Sequence, residues 1–164
     1  MIKIENVRIS QAIPNVYGSI SIHLSILAPL YWWSEFNNYH AHVISESLKN
    51  DISRKVITVD DFSHEYLDDG VHPSCAISMS MLSTIAEFLN MNCRLLASSR
   101  NDFYWKQICQ TLPWSYNQRR IVTLDADILK HLYATREKNT LIEWVDFYKF
   151  LDQLPYIKLI TEKK

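Results

Sequence analysis

The sequence predicts an α+β fold, a small and mainly antiparallel sheet packed with four or five helices, in one domain spanning residues 1–164. Three observations lead there. Two early segments alternate apolar and polar residues, several later segments place apolar residues three and four apart, and a short β-branched run, RRIVT, stands between helical stretches. A chain of 164 residues that is 48% hydrophobic, with 2 Gly and 5 Pro, is long enough to bury one core.

The elements follow in order. From Ile2 to Ser10, Ile2 and Ile4 and then Val7 and Ile9 alternate with polar residues, and Gly18 to Leu27 does so with Ile20, Ile22, Leu24 and Ile26. Both read as strands, and Pro14-Asn15 between them suits an antiparallel turn. After Pro29, the spacing of Trp32, Phe36 and Tyr39 predicts a helix from Tyr31 to about Ser47. Residues Asn50 to Pro73 hold no steady period and read as an irregular polar excursion. Helical spacing returns from Pro73 to Asn92, with Ile77, Met81, Ile85 and Phe88 or Leu89 as the expected buried stripe and the methionines as core filler. A shorter helix from Asp102 to Thr111 ends at Leu112-Pro113. The strand Arg119 to Thr123 then leads into a helix with Asp125 as N-cap, Asp127 in its first turn, and Leu124, Ile128 and Leu132 as its buried stripe. Thr140 and Glu143 have the spacing of a capping box, and Trp144, Tyr148, Leu151 and Leu154 form the apolar face of the last helix before Pro155 and a basic, frayed tail.

Charge narrows the function classes. With 17 basic and 18 acidic residues the formal net charge is -1, which supplies no general attraction to nucleic acid or to an anionic membrane, so any anion site is local. No apolar run approaches the ~20 residues of a membrane span, and MIKIENVRIS lacks the features of a secretory signal, so a cytoplasmic location is expected. Cys75, Cys93 and Cys109 are widely spaced and form no CxxC pair, which points to reduced thiols and not to a disulfide framework or a zinc site. Gly18 and Gly70 are the only glycines, so no Gly-rich phosphate loop exists.

The candidate chemistry is set against plain structural uses. Asp127 and His131, four apart on a helix, can meet, and such pairs are commonly surface ion pairs. His131 and Arg136, five apart, converge only where Arg136 lies at the helix end and reaches back. His40-Ala41-His42 shares a face on a strand alone and lacks a supporting carboxylate, which makes it a weak metal signal. Arg119 and Arg120 offer forked donors to a phosphate, or form a solvated turn before a strand. Tyr31-Trp32-Trp33 and Phe103-Tyr104-Trp105 read as packing more readily than as base-stacking platforms.

The segment ICQTLPWSYNQRRIVTLDADILKHLYATREKNTLIEW resembles the carboxy-terminal half of flavin-dependent thymidylate synthases, in which Leu-Pro precedes a Tyr-rich strand, Asn-Ala-Arg, a helix carrying His, and Leu-Arg. The spacing fits without gaps from Pro113 to Arg136, and LIEWVDFYKFLDQLPYIKLI resembles short phage-encoded remote relatives of these enzymes. The resemblance implies their fold, FAD as cofactor, a dUMP-like nucleotide as ligand, and homotetramers whose sites are built from several subunits. It places His131 on a flavin-contacting position and Arg136 on the Arg that contacts the nucleotide. Upstream, a weaker register puts Asn38-Tyr39-His40 on the family's Arg-His-Arg, keeps Glu46 as its Glu, and puts Leu48 on its Ser. His131, His40 and Glu46 are thus the expected cofactor-binding residues, and Arg136, Arg119 and Arg120 the expected nucleotide-binding ones.

Departures are equally specific. Asp125-Ala126-Asp127 stands for Asn-Ala-Arg, and Cys109 stands for an Arg four residues before Pro113. Exchanging cations for carboxylates reverses the local field, and losing even one stabilising donor costs about 2.7–4 kcal/mol at a transition state. Three functions are therefore expected: a divergent member that binds nucleotide or flavin with lost or altered synthase activity; an active FAD- and NADPH-dependent synthase converting dUMP to dTMP; or a non-enzymatic phage protein whose partner is a host protein, such as one it inhibits.

Overall fold

A computed structural model describes residues 2–11, 19–67, 72–155 and 157–161. By packing, the chain forms two compact units, Met1–Ser45 with Arg119–Lys164, and Glu46–Gln118.

The first unit carries a four-stranded sheet of β1 (Lys3–Gln11), β2 (Ile20–Pro29), β3 (His42–Ser45) and β4 (Asn117–Asp125), in the order β1-β2-β4-β3. The pairs β1/β2 and β3/β4 are antiparallel, with Ile9 opposite Ile22 and Val43 opposite Val122. An irregularity between Glu5 and Arg8 takes Asn6 to φ 54°, a left-handed conformation that Asn tolerates better than most residues. In β2 the residues Ile20, Ile22, Leu24, Ile26 and Ala28 are all buried, as the alternation expects. The expected turn at Pro14-Asn15, Gly18, and the last residues of the tail lie outside the described residues.

The helix expected from Tyr31 to Ser47 is much shorter. Here α1 spans Leu30–Phe36, a 3-10 turn covers Asn37–Tyr39, and His40 turns left-handed at φ 54° before the chain enters β3. Asn37-Asn38 is a poor helix continuation, and β-branched Val43 and Ile44 gain a ladder against β4 that the helix would forfeit. The next helix, α5 (Ala126–Ala134), starts where expected: the Asp125 carboxylate accepts from the amides of Asp127 at 3.0 Å and Ile128 at 2.9 Å. Its buried residues are Ala126, Leu129 and Leu132, whereas Ile128 is half-buried. The expected capping box at α6 (Ile142–Leu151) does not form; Leu141 is the N-cap, and Glu143 is buried and accepts from the Tyr31 hydroxyl. The helix α7 (Ile157–Thr161) adds Ile157 and Ile160 to the core.

That core is aromatic at its centre. The Trp32 ring lies 5.0 Å from Phe36, 4.9 Å from Trp144 and 5.4 Å from Phe147, and Trp144 stacks on Tyr148 at 5.9 Å. Such pairs add about 0.5–1.5 kcal/mol each beyond burial.

The second unit contains α2 (Leu48–Ser53), α3 (Pro73–Ser99) and α4 (Asp102–Thr111). The stretch expected to be irregular holds α2, capped by Ser47, and a 3-10 turn at Val59–Asp61 closed by a Thr58/Asp61 capping box. Its chain is pinned by Asn90, whose amide donates to the Ile57 carbonyl and accepts from the Ile57 amide, both at 2.8 Å. The buried side of α3 is Cys75, Leu82, Ala86, Leu89, Asn92 and Leu96. The stripe chosen from sequence is only partly buried: Leu89 is in the core and Ile85 and Phe88 are half-buried, but Ile77 is 65% and Met81 60% exposed, so Met81 is no core filler. Both rows satisfy a 3.6-residue period, and period alone does not say which row faces inward.

Candidate functional site

A cleft of about 330 Å³ opens in the first unit. One wall comes from α1 and its 3-10 turn, with Glu35, Asn38 and Tyr39; the other runs from α5 to the start of α6, with His131, Thr135, Lys138, Asn139 and Thr140. The sequence folds this way locally because α5 ends at Ala134 and a 3-10 turn, Arg136–Lys138, carries the chain to α6.

Hydrogen bonds hold the walls together. The Tyr39 hydroxyl lies 2.9 Å from Thr135 Oγ1, and Asn139 Nδ2 donates to the hydroxyls of Tyr39 and Tyr148, each at 2.9 Å. Tyr148 in turn donates to the Leu132 carbonyl at 2.8 Å. Burial is the main reason that the Tyr148 hydroxyl is held well above the usual tyrosine pKa. The Glu35 carboxylate accepts from Trp144 Nε1 at 2.7 Å, which ties it to the aromatic core. Over this frame the His131 ring meets Tyr39 edge to face at 5.2 Å. Residues 92 positions apart (131 − 39) are thereby brought to one surface.

Arg136 points elsewhere. Its guanidinium makes a forked pair with Asp152, at 3.3 and 3.0 Å, and lies 4.8 Å over the Tyr148 ring. Tyr133 donates to the same carboxylate at 2.6 Å. Burial by itself would raise the Asp152 carboxyl, but the hydrogen bonds from Tyr133 and Arg136 and the charges of Arg136 and Lys158 outweigh it and hold the group below the usual carboxylate range.

The other expected residues disperse. Arg119 bonds Glu5 at 2.8 Å and Ser25 at 3.2 Å, while Arg120 lies 4.7 Å over the Trp33 ring, where burial lowers its pKa. His40 is exposed at the left-handed end of the 3-10 turn, next to Tyr39 but not lining the cleft. Glu46 belongs to the second unit and pairs with Arg54. Asp127 pairs with Lys130 at 3.1 Å. Among the described residues no group of three or more His, Cys, Asp and Glu could hold a metal ion. Of the expected site residues, the cleft therefore contains His131, joined by Asn38 and Tyr39 of the upstream register.

Sequence reasoning missed Glu35, Thr135, Lys138 and Asn139. The run Arg136-Glu137-Lys138-Asn139 was legible as a polar helix end, but its spacing does not say which cation faces the cleft and which turns away.

No family model and no curated protein matches the sequence. Solved structures do match the fold. Thymidylate Synthase X from Helicobacter pylori, solved with FAD and dUMP, matches with a TM-score of 0.55 at 16% identity over 88% of this chain and 72% of that one. A second structure of that enzyme, complexed with FAD and dUMP, gives 0.55 at 15% identity over the same shares. A UMP/dUMP methylase, PolB from Streptomyces cacaoi, bound with 5-Br UMP, gives 0.50 at 13% identity, covering 83% of this chain and 77% of that one. The chain thus has the α+β fold of the flavin-dependent thymidylate synthases.

Proposed function

We propose that the protein is a divergent flavin-dependent thymidylate synthase-like protein that binds a mononucleotide in the cleft between Tyr39 and His131, with synthase activity lost or altered. The observation that carries this reading is the meeting of those two rings, 5.2 Å apart. Each falls on a position that the family resemblance marks as part of a ligand site, one from each half of the chain. The cleft volume, about 330 Å³, is at the low end of the ~300–1,000 Å³ typical of small-molecule sites. That suits one ring system with its sugar phosphate. A dinucleotide such as FAD needs more wall than these eight residues supply, in keeping with family sites completed by neighbouring subunits.

A bound reduced flavin would supply hydride; in the cleft, this chain's own residues would present the His131 ring and the Asn38 amide to the nucleotide. Loss of methyl transfer is supported by what the substituted residues do. Asp125 is spent on the first amides of α5, and Asp127 pairs with Lys130, so neither replaces the cation and amide found in the family. Calorimetry with dUMP, UMP and FAD tests the binding, and tritium release from labelled dUMP with methylenetetrahydrofolate and NADPH tests the chemistry. Binding of a nucleotide without tritium release is the expected result. Absence of binding by any of the three ligands would overturn the reading, and robust release would overturn the loss of activity.

The same reading includes a symmetric homo-oligomer, a tetramer ahead of a dimer. Its support is the outward row of α3, where Ile77, Met81, Met91 and Leu95 are 65, 60, 44 and 37% exposed. Sedimentation over a concentration series is expected to give a multiple of 19.3 kDa, reduced by Met81→Glu; the monomer mass at every concentration would remove the assembly.

A further inference from the structure

We propose that Lys138 is the anion-binding residue of the cleft, and that the group it takes is a phosphate monoester. The proposal rests on the cleft being a nucleotide site and names the part of the ligand that is held there.

Several cations of the first unit are already committed, and of the exposed ones without an ion pair among the described residues Lys138, unlike Lys3 and Arg8, lines the cleft. Arg119 is bound to Glu5, Arg136 to Asp152, Lys130 to Asp127 and Lys149 to Asp146. Arg120 is half-buried against Trp33. Lys138 differs from all of these. It lines the cleft, is exposed, and has no carboxylate within ion-pair distance among the described residues. Pairing with an anion there breaks no ion pair among the described residues.

Its placement is fixed from behind. The Lys138 amide donates to the Thr135 carbonyl at 2.9 Å, and the Asn139 amide to the Arg136 carbonyl at 3.2 Å, so the 3-10 turn sets the direction of the side chain. Arg136 anchors that turn through its fork to Asp152. Arg136 is then a positioning residue, acting through the turn and not on the ligand. Lysine is a compact, flexible point charge that takes phosphate without the planar geometry an arginine fork demands. The His131 ring, which shares the wall, offers a second nitrogen to the same group. Glu35 occupies the facing wall, and its carboxylate, held by Trp144, repels a phosphate placed on that side. The two walls therefore orient a ligand that carries one anionic end.

The test uses the full chain, with the imidazole resonances of His131 followed by NMR during titration with inorganic phosphate, and calorimetry with dUMP and deoxyuridine. Phosphate is expected to move the His131 resonances in the native protein and in Lys130→Met, but not in Lys138→Met. The preference for dUMP over deoxyuridine, expected to be about tenfold or more for one charged hydrogen bond, should vanish in Lys138→Met alone. An equal response of Lys138→Met and the native protein, or no response of His131 to phosphate, overturns the assignment. A phosphate response that requires Lys138, without dUMP binding, would keep the anion site and remove the nucleotide. Binding of dUMP that is indifferent to Lys138→Met would remove Lys138 and keep the nucleotide.

Discussion

Arg136 and Lys138 begin and end the same 3-10 turn, two residues apart, yet they meet opposite surroundings. Arg136 is locked in a closed cluster with Asp152, Tyr133 and Tyr148, in which its charge is answered and its plane is stacked. Lys138 faces an open cleft, with no carboxylate paired to its side chain among the described residues. The contrast teaches that a cation's value for binding depends on whether the fold has already paired it. Arg136 is already held by Asp152, so its charge is not free for a ligand in this structure.

The largest effect is expected from breaking the floor shared by both regions. Trp144 stacks on Tyr148 under the Arg136 cluster and lies 5.5 Å from Tyr39 under the cleft. Trp144→Ala should cost about 3–5 kcal/mol in denaturant unfolding; a loss below 1 kcal/mol would mean that the floor is not shared. The closed cluster alone is probed by acid. Because the Asp152 pKa is lowered in the folded protein, its contribution is fully present above the ordinary value of 3.8 and is lost as pH falls through the folded value. The pair is partly exposed and screened, so the stability gap between the native protein and Asp152→Asn should be no more than about 1 kcal/mol at neutral pH. That gap should close below pH 3.8. A gap that widened in acid would show that Asp152 is not the titrating partner.

Legibility differed by element for physical reasons. The start of α5 could be read to the residue, because the Asp125 cap is a local bond. The strand β3 could not, because His42 to Ser45 pairs with β4, whose partners lie about 75 residues further along the chain (120 − 45). The part Asn139 plays in the cleft had no sequence signal, since its role is to join two hydroxyls, Tyr39 and Tyr148, that only folding brings within reach.

By itself the sequence determined the α+β class, the alternation of β2, the start of α5 and the positions, His131 among them, at which a ligand site was to be sought. The first three rest on local periodicity and capping, which act over a few residues, and the ligand positions rest on the family resemblance. The tertiary structure alone decided which apolar row of α3 turns inward, that Glu143 leaves its expected cap for the core, and that Arg136 binds Asp152 while Lys138 keeps the cleft. Each of those outcomes depends on a partner distant in sequence, and burial and ion pairing are settled by whichever partner the packed chain places nearest.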